Sequence, residues 1–517
     1  MRKIALYILF VLVSIHSYGQ KYTIMPYDKE RYLRIELWLA YQDSVFHTIV
    51  KPFVIWPEYD MLKQQPMLKR KLLNDDLINI DKGNMNIHGN FLWKLEKGNI
   101  EDDTNRYYRN TRGFEIYGSL GKKIFFYTRF LETQAVFRPY LNTYIDKYVV
   151  IPSESWWKPF GDNGRDYSYG DGFISFRPLK WLRFDMGHGK NFVGDGYRSL
   201  LLSDNSFSYP FAKITLTKGS LQYTMLFSEL YNFNTRYYFY HYSKHATFNI
   251  LSYSNKKLEV ALFEGIIWQT SDYNTYVNKF SPMFFVPVIG LRPLIIGMDG
   301  NNNALLGISM HYSPVPICRV YAQAIVDNYV FSEKNDNFKN RTGWQIGIKS
   351  PDLFFNRLRF THLSLFTEFN KVRPYTYTSD YRFQNYTHYN QALAHPAGSG
   401  FTELVGGFTL VLHRLELRYK YNKILQSQEN DSLNLGTNLY DKPSERTYDN
   451  IKINQYAGST LILNNIEVAG VINSKSRMQF YLGFDFRKEL GFFVNKTGEK
   501  YFYFGFRTTI GNLYYDF

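Results

Sequence analysis

The chain closes on the run Tyr501-Phe-Tyr-Phe-Gly-Phe-Arg-Thr-Thr-Ile-Gly-Asn-Leu-Tyr-Tyr-Asp-Phe517. Side chains of a β-strand alternate between two faces, and an aromatic-rich alternating strand with a terminal aromatic is what closes a bacterial outer-membrane β-barrel. Chain ends in water are ordinarily frayed and polar, so an apolar end needs somewhere to bury itself. Leu513, Tyr515 and Phe517 share a parity, and this reading sends all three toward lipid. The apolar parity is even from Phe502 to Phe506 and odd from Leu513 to Phe517, which predicts a bulge or kink at Gly511-Asn512.

Outward from the terminus, the same period recurs back to about residue 111. Met478, Phe480, Leu482, Phe484 and Phe486 alternate with Gln479, Tyr481, Gly483, Asp485 and Arg487. Leu415, Leu417, Tyr419 and Tyr421 alternate with Arg414, Glu416, Arg418 and Lys420. Leu221, Tyr223, Met225 and Phe227 alternate with Gln222, Thr224 and Ser228, apart from Leu226. Charges at every second position do not suit a strand buried on both faces; they suit one between lipid and a hydrated lumen. Short polar turns at 118–123, 178–180, 218–220, 254–256 and 412–414 join such runs. Long loops are expected at 137–170, 189–208, 232–244, 269–302, 328–341, 371–401 and 425–450. The paired runs predict an all-β, antiparallel transmembrane barrel of about 16–18 strands. That size encloses a lumen rather than a fully packed core.

The other end agrees. Arg2-Lys3, the apolar run Ile4 to Ile15 and the small residues of Ser17-Tyr18-Gly19 read as a cleaved secretory signal over 1–19, with Gln20 as the mature start. No Cys follows it as a lipoprotein anchor would require, and its apolar run is too short to span a bilayer. The most apolar window elsewhere, Phe284 to Met298, is broken by Pro287, Gly290, Pro293 and Gly297. Aromatics make up 19% of the 517 residues while mean hydropathy stays at −0.35, the balance expected when lipid-facing and lumen-facing residues alternate. A single cysteine, Cys318, excludes a disulfide framework and a thiolate metal site. The net charge of +15 points to anionic partners. At an outer membrane these are lipid headgroups, lipopolysaccharide or capsular polysaccharide, not nucleic acid. Residues 20–105 read differently: Tyr27 to Ala40 and Pro57 to Leu73, interrupted by Pro66, have helical spacing. The expected organisation is a signal at 1–19, a partly helical periplasmic region at 20–105 and a barrel at 106–517.

Two segments could carry chemistry. In Gly187-His-Gly-Lys-Asn-Phe-Val-Gly-Asp-Gly-Tyr-Arg-Ser199 the glycines permit a loop that enters the lumen. There His188, Lys190, Asp195 and Arg198 either line a pocket for an anionic sugar or satisfy one another. In Tyr386-Thr-His-Tyr-Asn-Gln-Ala-Leu-Ala-His-Pro396, His388 and His395 lack Cys or Glu at ligand spacing, so a pore-lining or interaction loop is expected and no metal. Trp156, Trp157 and the run Tyr237 to Tyr242 fit an interfacial aromatic girdle, or a platform on which sugars stack. No Gly-x-Ser-x-Gly motif and no nucleophile with a positioned base is present, so no enzyme and no cofactor is expected.

The segments from Gly187 to Asp204 and from His388 to Pro396 resemble the Wzi-like capsule assembly family. Within it they are most similar to the Bacteroidetes branch that includes the gliding-motility-associated protein RemB. The resemblance covers roughly 90–517 and implies eighteen strands, a small periplasmic helical element and a non-catalytic, lectin-like role in organising surface polysaccharide. For the gliding branch it implies instead an accessory barrel docking motility or secretion proteins. A porin-like channel is the third reading that the barrel's size allows.

Overall fold

The structure, a computed structural model, describes residues 23–42, 44–54, 71, 73, 75–233, 241–269, 286–291, 303–330, 332–354, 361–381, 384–430, 432–492 and 497–517. The segment 1–19 read as a signal, nearly all of the stretch 57–73 expected to be helical, most of the aromatic run 237–242 and most of the window 284–298 lie outside the described residues.

Eighteen antiparallel strands close into one barrel. In chain order they begin with β1 (Met85–Ile100), β2 (Tyr107–Leu120), β3 (Ile124–Val136), β4 (Gly164–Leu179), β5 (Leu182–Gly189) and β6 (Tyr209–Lys218). There follow β7 (Leu221–Phe233), β8 (His241–Ser254), β9 (Leu258–Trp268), β10 (Asn303–Val315), β11 (Cys318–Asn328) and β12 (Arg341–Ser350). The last are β13 (Thr361–Val372), β14 (Phe401–Leu412), β15 (Leu415–Ser427), β16 (Gly458–Asn473), β17 (Met478–Gly491) and β18 (Thr497–Arg507). β18 pairs back onto β1, with Tyr501 opposite Ile100 and Arg507 opposite Lys94, so no sheet edge is left unpaired. Alternation sorts the side chains: Met186, Phe480, Phe502 and Phe504 point outward, while Arg129, Asp185, Lys213 and Glu403 are buried within. No helix among the described residues is long and apolar enough to cross a membrane; the chain crosses with strands.

Short turns gather at one end, where the barrel also begins and finishes, and long loops gather at the other. The first strand starts at Met85, inside the stretch assigned by sequence to the N-terminal region. Its alternation is masked because Leu92 is buried inward between the outward Phe91 and the aromatic Trp93. Helix α1 (Lys29–Ala40) is capped by Asp28, whose carboxylate accepts from the Arg31 backbone N–H at 2.9 Å. It is not a separate layer outside the barrel. Glu30 pairs with Arg477 of a short turn, and Glu36 pairs with Arg319 of β11 and Lys349 of β12, so α1 sits within the short-turn mouth.

The chain terminus departs from its sequence reading. β18 ends at Arg507, and residues 508–517 turn into the lumen rather than continuing along the lipid face. Gly511 has φ +94°, so the chain does bend there, after it has left the sheet. Tyr514 is fully buried, and Leu513, Tyr515 and Phe517 pack against interior clusters. Hydroxyls explain the choice: Tyr514 and Tyr515 each donate to a buried carboxylate, which lipid cannot supply.

Candidate functional site

Five segments meet inside the barrel: 23–54, loop 190–208, loop 373–400, the tail 508–517 and, at the long-loop end, helix α2 (Pro139–Tyr148). Val50–Lys51 pairs with Phe192–Val193 as a small sheet within the lumen. Loop 373–400 lies on loop 190–208: the Tyr377 and Tyr386 hydroxyls donate to the carbonyls of Leu200 and Leu201 at 2.7 and 2.5 Å. One apolar cluster joins Ile49, Leu200, Leu201 and Leu393 to inward residues of the wall such as Phe125, Phe248 and Phe263.

Buried charge pins these segments to the wall. Asp195 is buried and meets His311 at 2.7 Å, Arg319 at 2.9 Å, Lys349 at 3.5 Å and Lys51 at 3.9 Å. Glu36 of α1 shares three of these cations: Lys349 at 2.6 Å, Arg319 at 3.2 Å and Lys51 at 3.4 Å. Burial opposes ionisation of Glu36, yet Lys349, Lys51 and Arg319 outweigh it and hold the carboxyl at about 2. Asp195 is likewise held well below the carboxylate range, burial being overcome first by His311 and then by the same cations.

A second network pins the tail. The fully buried Arg198 reaches Glu403 and Asp516, each at 3.0 Å, and His395 Nε2 lies 2.6 Å from Glu403. Asp516 also takes Lys420 at 2.9 Å and the Tyr197 hydroxyl at 2.8 Å. Arg198 and Lys420 keep the Asp516 carboxyl far below its ordinary range against the opposing effect of burial. Burial pulls His395 down although Glu403 opposes it.

The remaining residues singled out by sequence serve the same plug. Lys190 Nζ donates to the carbonyls of Ser153 and Asp204 at 2.7 and 3.1 Å. His188 accompanies Phe207, with ring centroids 5.6 Å apart, and Phe207 also stacks on His388. His388 accepts the Tyr231 N–H at Nδ1, 3.0 Å, and its Nε2 faces the Ser208 carbonyl at 3.2 Å. The cavity beside His188 and Lys190 measures about 40 Å³, room for water and not for a sugar ring. Trp156 and Trp157 lie in the 137–163 loop rather than on a membrane-facing strand. Trp157 packs against the cluster around α2, with the Arg165 guanidinium 3.9 Å from its ring centre. The structure thus joins Arg198 to His395 through Glu403, and His188 to His388 through Phe207, but leaves Asp195 in a network of its own. Among the described residues, no group of three or more His, Cys, Asp or Glu side chains is placed to hold a metal.

The plug does not fill the lumen evenly. Along the wall made by β15–β18 and β1–β2 run two cavities of about 260 and 430 Å³. They share the lining residues Lys94, Lys420, Asn465, Glu467, Arg507 and Leu513, so the tail at Leu513 separates two parts of one track. The smaller part lies toward the long loops, between Tyr140 of α2 and Tyr501 of the wall. The larger lies toward the short turns, beside α1 and Arg477.

With that geometry in view, comparisons with known proteins fix the fold. The structure is similar to Wzi of Escherichia coli, an outer-membrane protein involved in group 1 capsule assembly and described as a carbohydrate-binding β-barrel. The two share 11% sequence identity, with 95% of this chain and 100% of that one covered and a TM-score of 0.56. OprD of Pseudomonas aeruginosa (9% identity, 86% and 98% covered, TM-score 0.41) and OccAB2 of Acinetobacter baumannii (8%, 83% and 99%, 0.44) are similar to a lesser degree. No family model matches the sequence, and no curated protein matches it. The chain has the closed β-barrel fold of Wzi.

Several residues that build the plug carried no signal in the sequence reading. Glu36 sits on a helix that looked merely amphipathic. Tyr514 and Asp516 looked like strand residues. Tyr375 and Tyr377, both buried at positive φ, were hidden in a polar loop, where only a tyrosine-rich run between breakers marked them.

Proposed function

We propose that this protein is a non-enzymatic outer-membrane barrel that organises or attaches surface polysaccharide at its long-loop end, reaching the membrane after removal of residues 1–19. The observation that carries the reading is the plug: the lumen is occupied by segments held through buried ion pairs, which disfavours an open pore and leaves the loops as the working surface. Those loops are preorganised. The Glu429 carboxylate accepts the backbone N–H groups of Leu435, Thr437 and Asn438 at 2.7–2.8 Å, fixing the 428–457 loop. On the same loop Tyr448 stacks on Tyr456 at 4.2 Å, and Tyr448 stays exposed, a surface suited to a sugar face. The likeness to Wzi, itself a carbohydrate-binding capsule-assembly barrel, and the charge of +15 support the same reading.

The test is deletion of the gene followed by staining of cell-bound and released capsule, with complementation by Tyr448→Ala. Capsule shifted from cells to medium, with partial rescue by the variant, is the expected result. Unchanged retention would sink the proposal and promote the docking barrel that the resemblance to the gliding branch implies.

A further inference from the structure

The larger cavity in the short-turn half of the lumen holds a cation that the plug seats on aromatic rings rather than on a carboxylate. Lys29, the first residue of α1, carries its ammonium 3.4 Å from the ring centre of Tyr197 and 3.9 Å from that of Tyr514. Among the described residues its ammonium makes no ion pair and no hydrogen bond. The carboxylates nearby make their direct contacts with other groups. Asp204 accepts from the Tyr514 hydroxyl and the Asn512 amide, and Asp516 is taken by Arg198 and Lys420. Burial, helped by the neighbouring Arg198 and Lys420, lowers Lys29 to about 7 although Asp204 and Asp516 oppose it.

The rest of the lining is mixed, with cations in excess. Seven lysine or arginine side chains line this cavity against five carboxylates, and Ser364, Thr409, Asn465 and Gln479 add hydroxyls and amides. At about 430 Å³ the space lies within the range of small-molecule sites and far exceeds what a bare ion needs. Arg477, on a short turn, and Glu30 border it, which places its approach at the end opposite the long loops.

We propose that this cavity is a binding site for an acidic saccharide unit, entered from the short-turn end, with the sugar carboxylate on Lys29 and its hydroxyls on the amide and hydroxyl wall. The site is separate from the long-loop surface proposed above and rests on that reading only for where an acidic sugar would come from. A carboxylate there gives the Lys29 ammonium a direct, charge-assisted hydrogen bond. The hydroxyls and amides among the lining suit a polyol better than an inorganic anion.

The experiment is calorimetry on the purified full-length barrel in detergent, with glucuronate, glucose and inorganic phosphate as probes. Glucuronate binding at least about tenfold tighter than glucose is expected, the worth of one hydrogen bond to a charged group. Lys29→Met should lose at least about tenfold for glucuronate while Lys29→Arg keeps most of it. Equal affinity for glucose and glucuronate, or no glucuronate binding, overturns the site, and this comparison needs no variant. Phosphate binding as tight as glucuronate overturns the saccharide assignment. Lys29→Met that retains full affinity, with the heat-shifted gel mobility of the intact barrel, overturns the role of Lys29. Capsule retention in cells is not read by this assay, so either proposal can fail alone.

Discussion

Removing the Asp516 carboxylate should release the C-terminal tail while the barrel stays closed. In Asp516→Ala, Arg198 keeps Glu403, but Lys420 loses its ion pair at 2.9 Å and the Tyr197 hydroxyl loses its acceptor at 2.8 Å. The backbone carbonyl of residue 516 still accepts from Asn422 at 2.8 Å and from Arg198 at 3.1 Å, so the tail is weakened rather than erased. Breaking a buried ion pair from one side costs about 3–5 kcal/mol. The Lys420 side chain is 28% exposed, so solvent screens part of the loss and the lower end applies. About 3 kcal/mol raises the ratio of released to docked tail by roughly a hundredfold. The assay is maleimide labelling of a cysteine appended after Phe517, in a Cys318→Ser background that removes the only native thiol. Where opening and closing outpace labelling, the rate follows the open population. A roughly hundredfold faster rate with unchanged heat-shifted mobility is expected. A change below about threefold in an intact barrel would refute the claim that this network docks the tail.

Two further outcomes follow from buried titratable groups outside the spanning strands. Glu36 is depressed from 4.5 to about 2, so its stabilisation is complete above the unfolded value and is lost as pH falls toward 2; the whole effect is on the order of 3 kcal/mol. Protection of α1 from protease should therefore decline between those values, and Glu36→Gln should lower protection at neutral pH and flatten the decline; a parallel profile in the variant would count against the assignment. His388, pulled from 6.5 to about 3 by burial, should stay neutral, with stability lost as pH falls below the unfolded value toward 3. Imidazole nitrogen shifts should report a neutral ring at pH 5, and a charged ring there would contradict the burial seen.

How far the sequence reached can be told from particular residues. Phe502, Phe504 and Phe506 are apolar while Tyr501 and Tyr503 carry hydroxyls, and a two-residue period needs no partner to be read. The same local logic located the short turns and the long loops, because turn chemistry and loop length lie in consecutive residues. It also predicted a bulge or kink in the closing strand at Gly511-Asn512; the strand instead ends at Arg507, and Gly511 takes a left-handed conformation beyond it. What the bend does was not legible. Leu513, Tyr515 and Phe517 have the same pattern whether they face lipid or an interior cluster.

Their direction is decided by Glu154 for Tyr515, Asp204 for Tyr514 and Arg198 for Asp516, each more than three hundred positions away in the chain. Likewise, the Gly187–Ser199 loop announced flexibility and charge, but whether its charges were free for a ligand depended on Arg319, Lys349, Glu403 and Lys420, which only barrel closure brings to them. Alternating hydrophobicity by itself determined that this chain closes as a large antiparallel β-barrel, since each strand records its own two solvents. Only the tertiary structure decided that the lumen is plugged, that the tail is part of the plug, and that Lys29 is left facing a cavity. Those facts depend on which distant charges meet, and no segment encodes its partners alone.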